Sequence, residues 1–117
     1  MDDEAALAVL AEPSRSDVPA GRAYTADEIR ALLAKVRERG WAVADEELAP
    51  GVRSVAVPVR DGSGSVRAAM NVTVHASETS METLLGDHLP LLQEAAGRVS
   101  EDWVLWQSRP TATVTSA

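Results

Sequence analysis

Ser54, Asn71 and Thr73 are the residues of this 117-residue chain whose types and spacing suit recognition chemistry. Between them they offer two hydroxyls and one amide, all neutral hydrogen-bonding groups. Such groups hold a carboxylate, or a small acid bearing a hydroxyl, without an opposing buried charge. They fall in two β-branched runs, Val52–Arg60 and Val66–His75, on either side of Asp61-Gly62-Ser63-Gly64. That tetrapeptide is a strong turn signal. Side chains alternate along a strand, so Val55, Val57 and Val59 point one way while Val52, Ser54 and Ala56 point the other. On the second run Met70, Val72 and Val74 share one face, and Asn71, Thr73 and His75 share the opposite one. With Gly62 and Ser63 as central turn residues, Ser54 is predicted to lie across from Asn71, and Val52 across from Thr73. A register one residue away would mix the two faces, which burial disfavours. The wet side of an ordinary antiparallel sheet shows the same alternation, so the pattern alone leaves a binding face and a solvent face both open.

The other chemistry-bearing residues have weaker spacing. His75 and His88 form no HxxxH or HExxH pattern, and the chain has no Cys, so no metal site is expected. Asp45-Glu46-Glu47 reads as a solvated acidic loop, with a general base or metal carboxylate as the alternative. Ser54 lacks the GxSxG setting of a nucleophile elbow. Gly62-Ser63-Gly64 is too short and wrongly flanked for a phosphate loop. No acid/base pair with supporting spacing involves Asp45 or His75, so the reading is not an enzyme.

The elements that must position these residues are legible around them. Residues 2–11 read as a short helix with acids at its start, where the dipole favours them, and a small apolar face at Leu7 and Leu10. Residues 12–22 hold two Pro, a Gly and two Ser and read as a loop. Thr25 and Glu28 have capping-box spacing for a helix over residues 25–39. Ile29, Leu32, Leu33 and Val36 predict a buried stripe on it. Gly40 suits its left-handed end, with Trp41 packing back on Val36. Residues 41–45 read as a strand, and Pro58 implies an edge or a bulge in the next one. A helix is predicted over residues 80–107, with Leu85, Leu89, Leu92, Ala96, Val99, Trp103 and Trp106 on one stripe. Pro90 either kinks it or starts a second helix. Trp103 and Trp106 are expected to be buried, with a subunit contact as the alternative. Residues 108–117 read as a flexible tail.

Composition bounds the role. The length suits one domain with a real core, built without Phe and with one Tyr, three Trp and three Met. The net charge is −7 and Lys35 is the sole lysine. Phosphate neutralisation needs clustered cations, so the chain by itself is a poor DNA binder. No basic amphipathic stretch suits an anionic membrane. The acidic, early-broken N-terminus fits neither a signal peptide nor a span, which makes a cytoplasmic protein the expectation.

LLAKVRERGWAVADEELAPGVRSVAVPVRDGSGSVRAAMNV, followed by HLPLLQEAAGRVS, resembles the effector-binding domain of IclR-family transcriptional regulators. The shared order is a helix ending in Arg-x-x-Gly, an aromatic, an acidic Glu-Glu loop, then Gly-hydrophobic-Arg-Ser and a Pro-Val hairpin. The similarity runs from about Asp2 to Trp106, and AAMNVTVHA looks most like the branch regulating aromatic-acid catabolism, with ligands such as protocatechuate and 4-hydroxybenzoate. The resemblance implies an α+β, GAF-like domain that binds small carboxylates, needs no cofactor and assembles as dimers or higher oligomers. It places ligand-binding positions on Val52, Ser54, Asn71 and Thr73, with Ala44 and Asp45 in the adjoining loop. Ala44 stands where members with small oxoacid ligands usually carry an acid, which argues against glyoxylate-type ligands. The family's winged helix-turn-helix and the first half of its effector domain have no counterpart in these residues. Residues 1–107 are therefore expected to be a partial domain: a fragment, a truncated product, or a half-domain needing a partner. The expected role is sensing a small organic acid, with DNA reached only through a helix-turn-helix domain that these residues lack. The alternative is an oligomerisation module indifferent to ligand.

Overall fold

The structure is a computed structural model that describes residues 2–12 and 24–110. Most of the expected loop over residues 12–22, and residues 111–117 of the expected tail, lie outside them. Helix α1 spans Asp3–Leu10, and Asp2 caps it by accepting the Ala5 N–H at 2.8 Å. Only Ala6 of α1 is buried; the expected apolar face fails at Leu10, which is exposed.

Helix α2 spans Ala26–Arg39 and carries the full capping box: the Glu28 N–H donates to Thr25 Oγ1, and the Thr25 N–H to Glu28 Oε1, both at 3.2 Å. Asp27 and Glu28 sit at its positive end, Arg37 and Arg39 at its negative end. Gly40 ends it at φ +81°, donating its N–H to the Val36 carbonyl at 2.8 Å. The expected buried stripe is a correction: no residue of α2 is buried, and Leu32 is 39% exposed. Helical spacing shows which side chains seek burial, and the helix stands off from the sheet that would have received them.

Strands β1 (Ala42–Asp45), β2 (Val52–Arg60) and β3 (Val66–His75) form one antiparallel sheet in the order β1-β2-β3. The register differs from the expected one by two residues: Ser54 pairs with Thr73, Ala56 with Asn71 and Val52 with His75. Two causes add: the turn closes from the Asp61 N–H to the Ser65 carbonyl around three residues, not two, and at Val59/Arg60 the residue Arg67 is extra on β3. A two-residue shift keeps every side chain on its own face, so the face assignment holds. Pro58 is accommodated because β1 pairing ends at Ala56, leaving one flank of β2 open beyond it.

Asp61 organises the β2–β3 turn. It is 6% exposed, and its Oδ1 accepts the Ser63 N–H, the Ser63 hydroxyl and the Ser65 N–H while Oδ2 accepts Arg67 Nε at 2.7 Å. The Ser63 hydroxyl and the Arg67 guanidinium hold its carboxyl well below the usual carboxylate range, against the opposing effect of desolvation.

Helix α3 (Met81–Thr83), a π-helical turn (Leu84–His88) and α4 (Leu89–Gln107) run on as one rod. Ser80 caps the start, accepting the Thr83 N–H at 3.1 Å. Pro90 falls in the first turn of α4, as the reading of it as the start of a second helix expects. Inside a regular helix its ring would press on the carbonyl four residues back, and the wider π turn just before it relieves that contact, with the Leu89 N–H reaching Leu84 O. The core is one layer thick: Val55, Val57 and Val59 are 0–3% exposed against Leu84, Leu89, Leu92 and Ala96. The helical stripe is corrected at its far end. Trp103 packs half-buried against this core, but Trp106 is 67% exposed. No described helix is long and apolar enough to cross a membrane.

Candidate ligand-binding face

Alternation from the core valines sets the composition of the other face. Ladder partners place Ala44, Ser54 and Thr73 in one row across the sheet, and Ala42, Ala56 and Asn71 in the next. Pro58 with Ala69 and Val52 with His75 complete the face at its two ends. The expected residues Val52, Ser54, Asn71 and Thr73 are therefore brought together on one side of β2 and β3. Ser54 and Thr73 are directly opposed, so their Cβ atoms lie about 5 Å apart; Ser54 and Asn71 are diagonal neighbours at about 7–8 Å. These separations suit the two oxygens of one carboxylate or an acid with a nearby hydroxyl.

The Asn71 amide donates to Thr73 Oγ1 at 3.0 Å. This bond uses the Thr73 oxygen as an acceptor and leaves its proton available to donate. Asn71 keeps a second amide proton, and the Ser54 hydroxyl has no protein partner among the described residues. Three neutral groups on one face thus each keep a proton that no described residue accepts. A hydrogen bond to a charged acceptor is worth about 1.5–3 kcal/mol net, so an anion is the acceptor that gains most here.

Beside the donors the face is made of small side chains, Ala42, Ala44, Ala56 and Ala69, that leave a flat floor. The floor runs into a groove of about 430 Å³ between the sheet and α2, lined by Leu33, Val36, Trp41, Ala56, Pro58 and Ala69. Small-ligand sites are commonly this size and largely apolar with a few placed polar groups. Arg37 and Arg60 stand on the groove wall; Arg37 is paired with Asp3, and Arg60 donates to the Gly64 carbonyl at 2.8 Å. They place positive charge beside the groove in a chain of net charge −7.

Asp45 is a correction. It follows Ala44 in β1 and so takes the opposite face, where its Oδ1 accepts Arg53 Nε at 2.7 Å. Arg53 also donates to the Thr79 carbonyl at 3.0 Å, so the pair ties β1 to the segment after β3. The rest of the acidic loop is engaged locally. Glu46, at φ +57°, accepts the Gly51 N–H at 2.9 Å, and Glu47 accepts the Tyr24 hydroxyl. His75 ends the binding face with Nδ1 against the Ser77 hydroxyl at 2.6 Å. No group of three or more metal-ligating side chains occurs among the described residues.

The reading of residue types missed the groove. Trp41 was assigned to closing α2, yet its ring packs on the core, lies under the Arg39 guanidinium at 3.8 Å and lines the groove. Pro58, which implies an edge or a bulge, also lies at even spacing from Ser54 and Ala56 and so on this face.

Residues 2–101 match the family described as bacterial transcriptional regulator IclR C-terminal. The chain belongs to this IclR family. The Pca regulon regulatory protein of Pseudomonas putida is 38% identical over 99 residues, covering 82% of this chain and 33% of that protein. The Pca operon regulatory protein of Acinetobacter baylyi is 40% identical over 65 residues, covering 56% of this chain and 23% of that protein. These relatives support the aromatic-acid branch of the IclR family. The chain thus spans a third or less of the curated regulators it matches.

Among solved structures, a transcriptional regulator from Rhodococcus sp. RHA1 superposes with a TM-score of 0.77 at 31% identity, covering 90% of this chain and 42% of that one. The inducer-binding domain of PobR from Acinetobacter, solved as a double mutant with 3-hydroxybenzoic acid, gives 0.75 at 23% identity, covering 86% and 59%. That likeness shows the fold. The α+β fold is the IclR effector-binding fold, and the proteins matched are named as transcriptional regulators.

Proposed function

We propose that this chain is the small-molecule-sensing portion of an IclR-type regulator and that its effector is an aromatic carboxylate. The observation that carries this reading is that three neutral donors share one sheet face with Ala56 and Ala69, which line an apolar groove. The carboxylate accepts from Ser54, Asn71 and Thr73, and the ring lies over Ala56 toward Trp41 and Pro58. An aliphatic acid of similar charge leaves the groove wet and binds less well, since apolar burial contributes roughly 25 cal/mol per Å². The role is binding, not catalysis: the face holds no general base beside a nucleophile. The aromatic acid bound in the PobR structure and the Pca regulators among the relatives support the ligand class.

In the full-length regulator, ligand binding would shift the arrangement of subunits and so of helix-turn-helix domains that contact DNA in the cytoplasm. Titration calorimetry with hydroxybenzoates and with aliphatic acids tests the site. Ser54→Ala and Asn71→Ala are each expected to weaken hydroxybenzoate binding about tenfold, the loss of one charge-assisted hydrogen bond. Unchanged affinity in both variants would refute the site, and equal affinity for aliphatic acids would refute the groove.

A further inference from the structure

Resting on the carboxylate reading of the Ser54/Asn71/Thr73 face, we propose that His75 is a further specificity-determining residue. Its Nε2–H is a fixed donor that makes the site select a carboxylate over the neutral amide of the same shape. His75 lies two residues beyond Thr73 on β3, on the same face, and pairs with Val52. Strand rise sets the Cα atoms of Thr73 and His75 about 6.5–7 Å apart. The Ser54/Thr73 row is thus flanked by the Asn71 row on one side and the His75 row on the other. A carboxylate has two oxygens and about four lone-pair sites. Over the middle row, one oxygen meets Asn71 and the other meets His75.

Neighbours of the ring decide which nitrogen carries its proton. The Ser77 N–H donates to Nδ1 at 3.2 Å, and the Ser77 hydroxyl lies 2.6 Å from the same atom. A backbone N–H can only donate, so Nδ1 accepts and the neutral ring is protonated on Nε2. The two ring nitrogens point in nearly opposite directions, so Nε2–H is directed away from Ser77. The ring lies against Gly51, where a Cβ would come within 3.2 Å of Nε2. Gly51 has φ +78°, which glycine adopts without strain. Ser77 is itself held in place. The Ala76 N–H donates to the Gly51 carbonyl at 2.7 Å, and the Glu78 and Thr79 N–H groups both donate to the His75 carbonyl at 3.0 Å. Arg53 donates to the Ala76 and Thr79 carbonyls at 3.5 and 3.0 Å. The imidazole is therefore oriented before any ligand arrives, which lowers the ordering cost of binding. Hydroxyls such as those of Ser54 and Thr73 turn to donate or accept, and the Asn71 side chain offers both kinds of group. Nε2–H can only donate, so His75 is the residue that tells a carboxylate oxygen from an amide N–H.

Titration calorimetry with 4-hydroxybenzoate and 4-hydroxybenzamide tests this role. The wild-type chain should bind the acid about tenfold or more tightly than the amide. His75→Phe should weaken acid binding about tenfold while amide binding stays within about twofold. His75→Gln places an amide nitrogen near the position of Nε2 and should retain most of the acid affinity. Nitrogen-15 spectra of the free chain at alkaline pH supply a readout that needs no ligand. The chain has two histidines, so the signals lost in His75→Gln belong to His75, and they should report the Nε2–H tautomer. An Nδ1–H tautomer would overturn the proposal. So would equal losses for acid and amide in His75→Phe, which would make the ring a structural part of the turn. Acid binding unchanged in His75→Phe but weakened in Ser54→Ala and Asn71→Ala would overturn the role of His75 and spare the carboxylate site. No binding of the acid, or acid binding unchanged in Ser54→Ala and Asn71→Ala, would refute the site itself and the role of His75 with it.

Discussion

The two sides of β2 are one residue apart in sequence and opposite in character. Val55, Val57 and Val59 are sealed against the π turn and α4. Ala56 and Pro58, which share a face with Ser54, line a groove that α2 borders without closing. One side is packed for cohesion, and the other is left with unmet donors and unfilled volume. The pleat separates stability from recognition within nine residues. Substitutions on the two sides should therefore fail differently, the first in unfolding and the second in binding.

The largest effect is expected at Leu84. It is fully buried in the π turn, against the valine face. Leu84→Ala should cost about 2–5 kcal/mol, the range for buried leucines whose cavities collapse incompletely. Urea denaturation measures it, and the residual folded fraction should keep its hydroxybenzoate affinity. A loss of affinity in still-folded protein would mean that the two sides are coupled.

Ala56 probes the opposite side. Ala56→Leu places a branched side chain on the floor between Asn71 and the groove, while its backbone pairing with Ala42 and Asn71 is untouched. Hydroxybenzoate affinity should fall by tenfold or more, about 1.4 kcal/mol, with a stability change below about 1 kcal/mol. An unfolding effect as large as that of Leu84→Ala would show that the groove side is also packed for cohesion.

How far these sides were legible differs by residue. Alternation assigned Val55 and Ser54 to opposite faces from residue types alone, because the pleat has a fixed period. Thr25, Glu28 and Gly40 fixed the ends of α2, since capping is decided within a few residues. The register was not legible, because it depends on side-chain chemistry in the turn: Asp61 gathers Ser63, Ser65 and Arg67, and Arg67 bulges. Nor were the exposure of Leu32 and the half-burial of Ile29 and Leu33 foreseeable, because a stripe does not reveal whether a partner surface exists. The groove joins residues from α2, β2 and β3 that only the folded chain brings together. The family resemblance sets Asp45 beside the site, but the pleat turns its side chain to the opposite face, toward Arg53.

Asp61 supports both sides by fixing the hairpin, and its signature is acid sensitivity. Its carboxyl titrates well below the usual range in the folded chain, against about 3.9 when unfolded. The stabilisation is therefore complete above pH 4–5 and is lost as pH falls below about 4 toward the folded value. Melting temperatures for wild type and Asp61→Asn should be well separated at pH 7 and converge as pH drops below 4. A constant gap across that range would assign the effect to the hydrogen-bonded shape of the turn instead of to its charge.

Asp45 gives the smallest expected effect and the sharpest check on the division. It is half-exposed and faces the valine side, paired with Arg53. An ion pair this open to solvent is worth about 0.2–1 kcal/mol, and salt screens it further. Asp45→Ala should lower stability by no more than that, an effect that shrinks at 1 M salt. Arg53 keeps its bonds to the Thr79 and Ala76 carbonyls, so the segment after β3 stays anchored. Hydroxybenzoate affinity should stay within about twofold of wild type, because no atom of Asp45 reaches the donor face of the sheet. A tenfold loss without unfolding would place a carboxylate in ligand recognition and would mean that the β1 end turns over when the ligand binds.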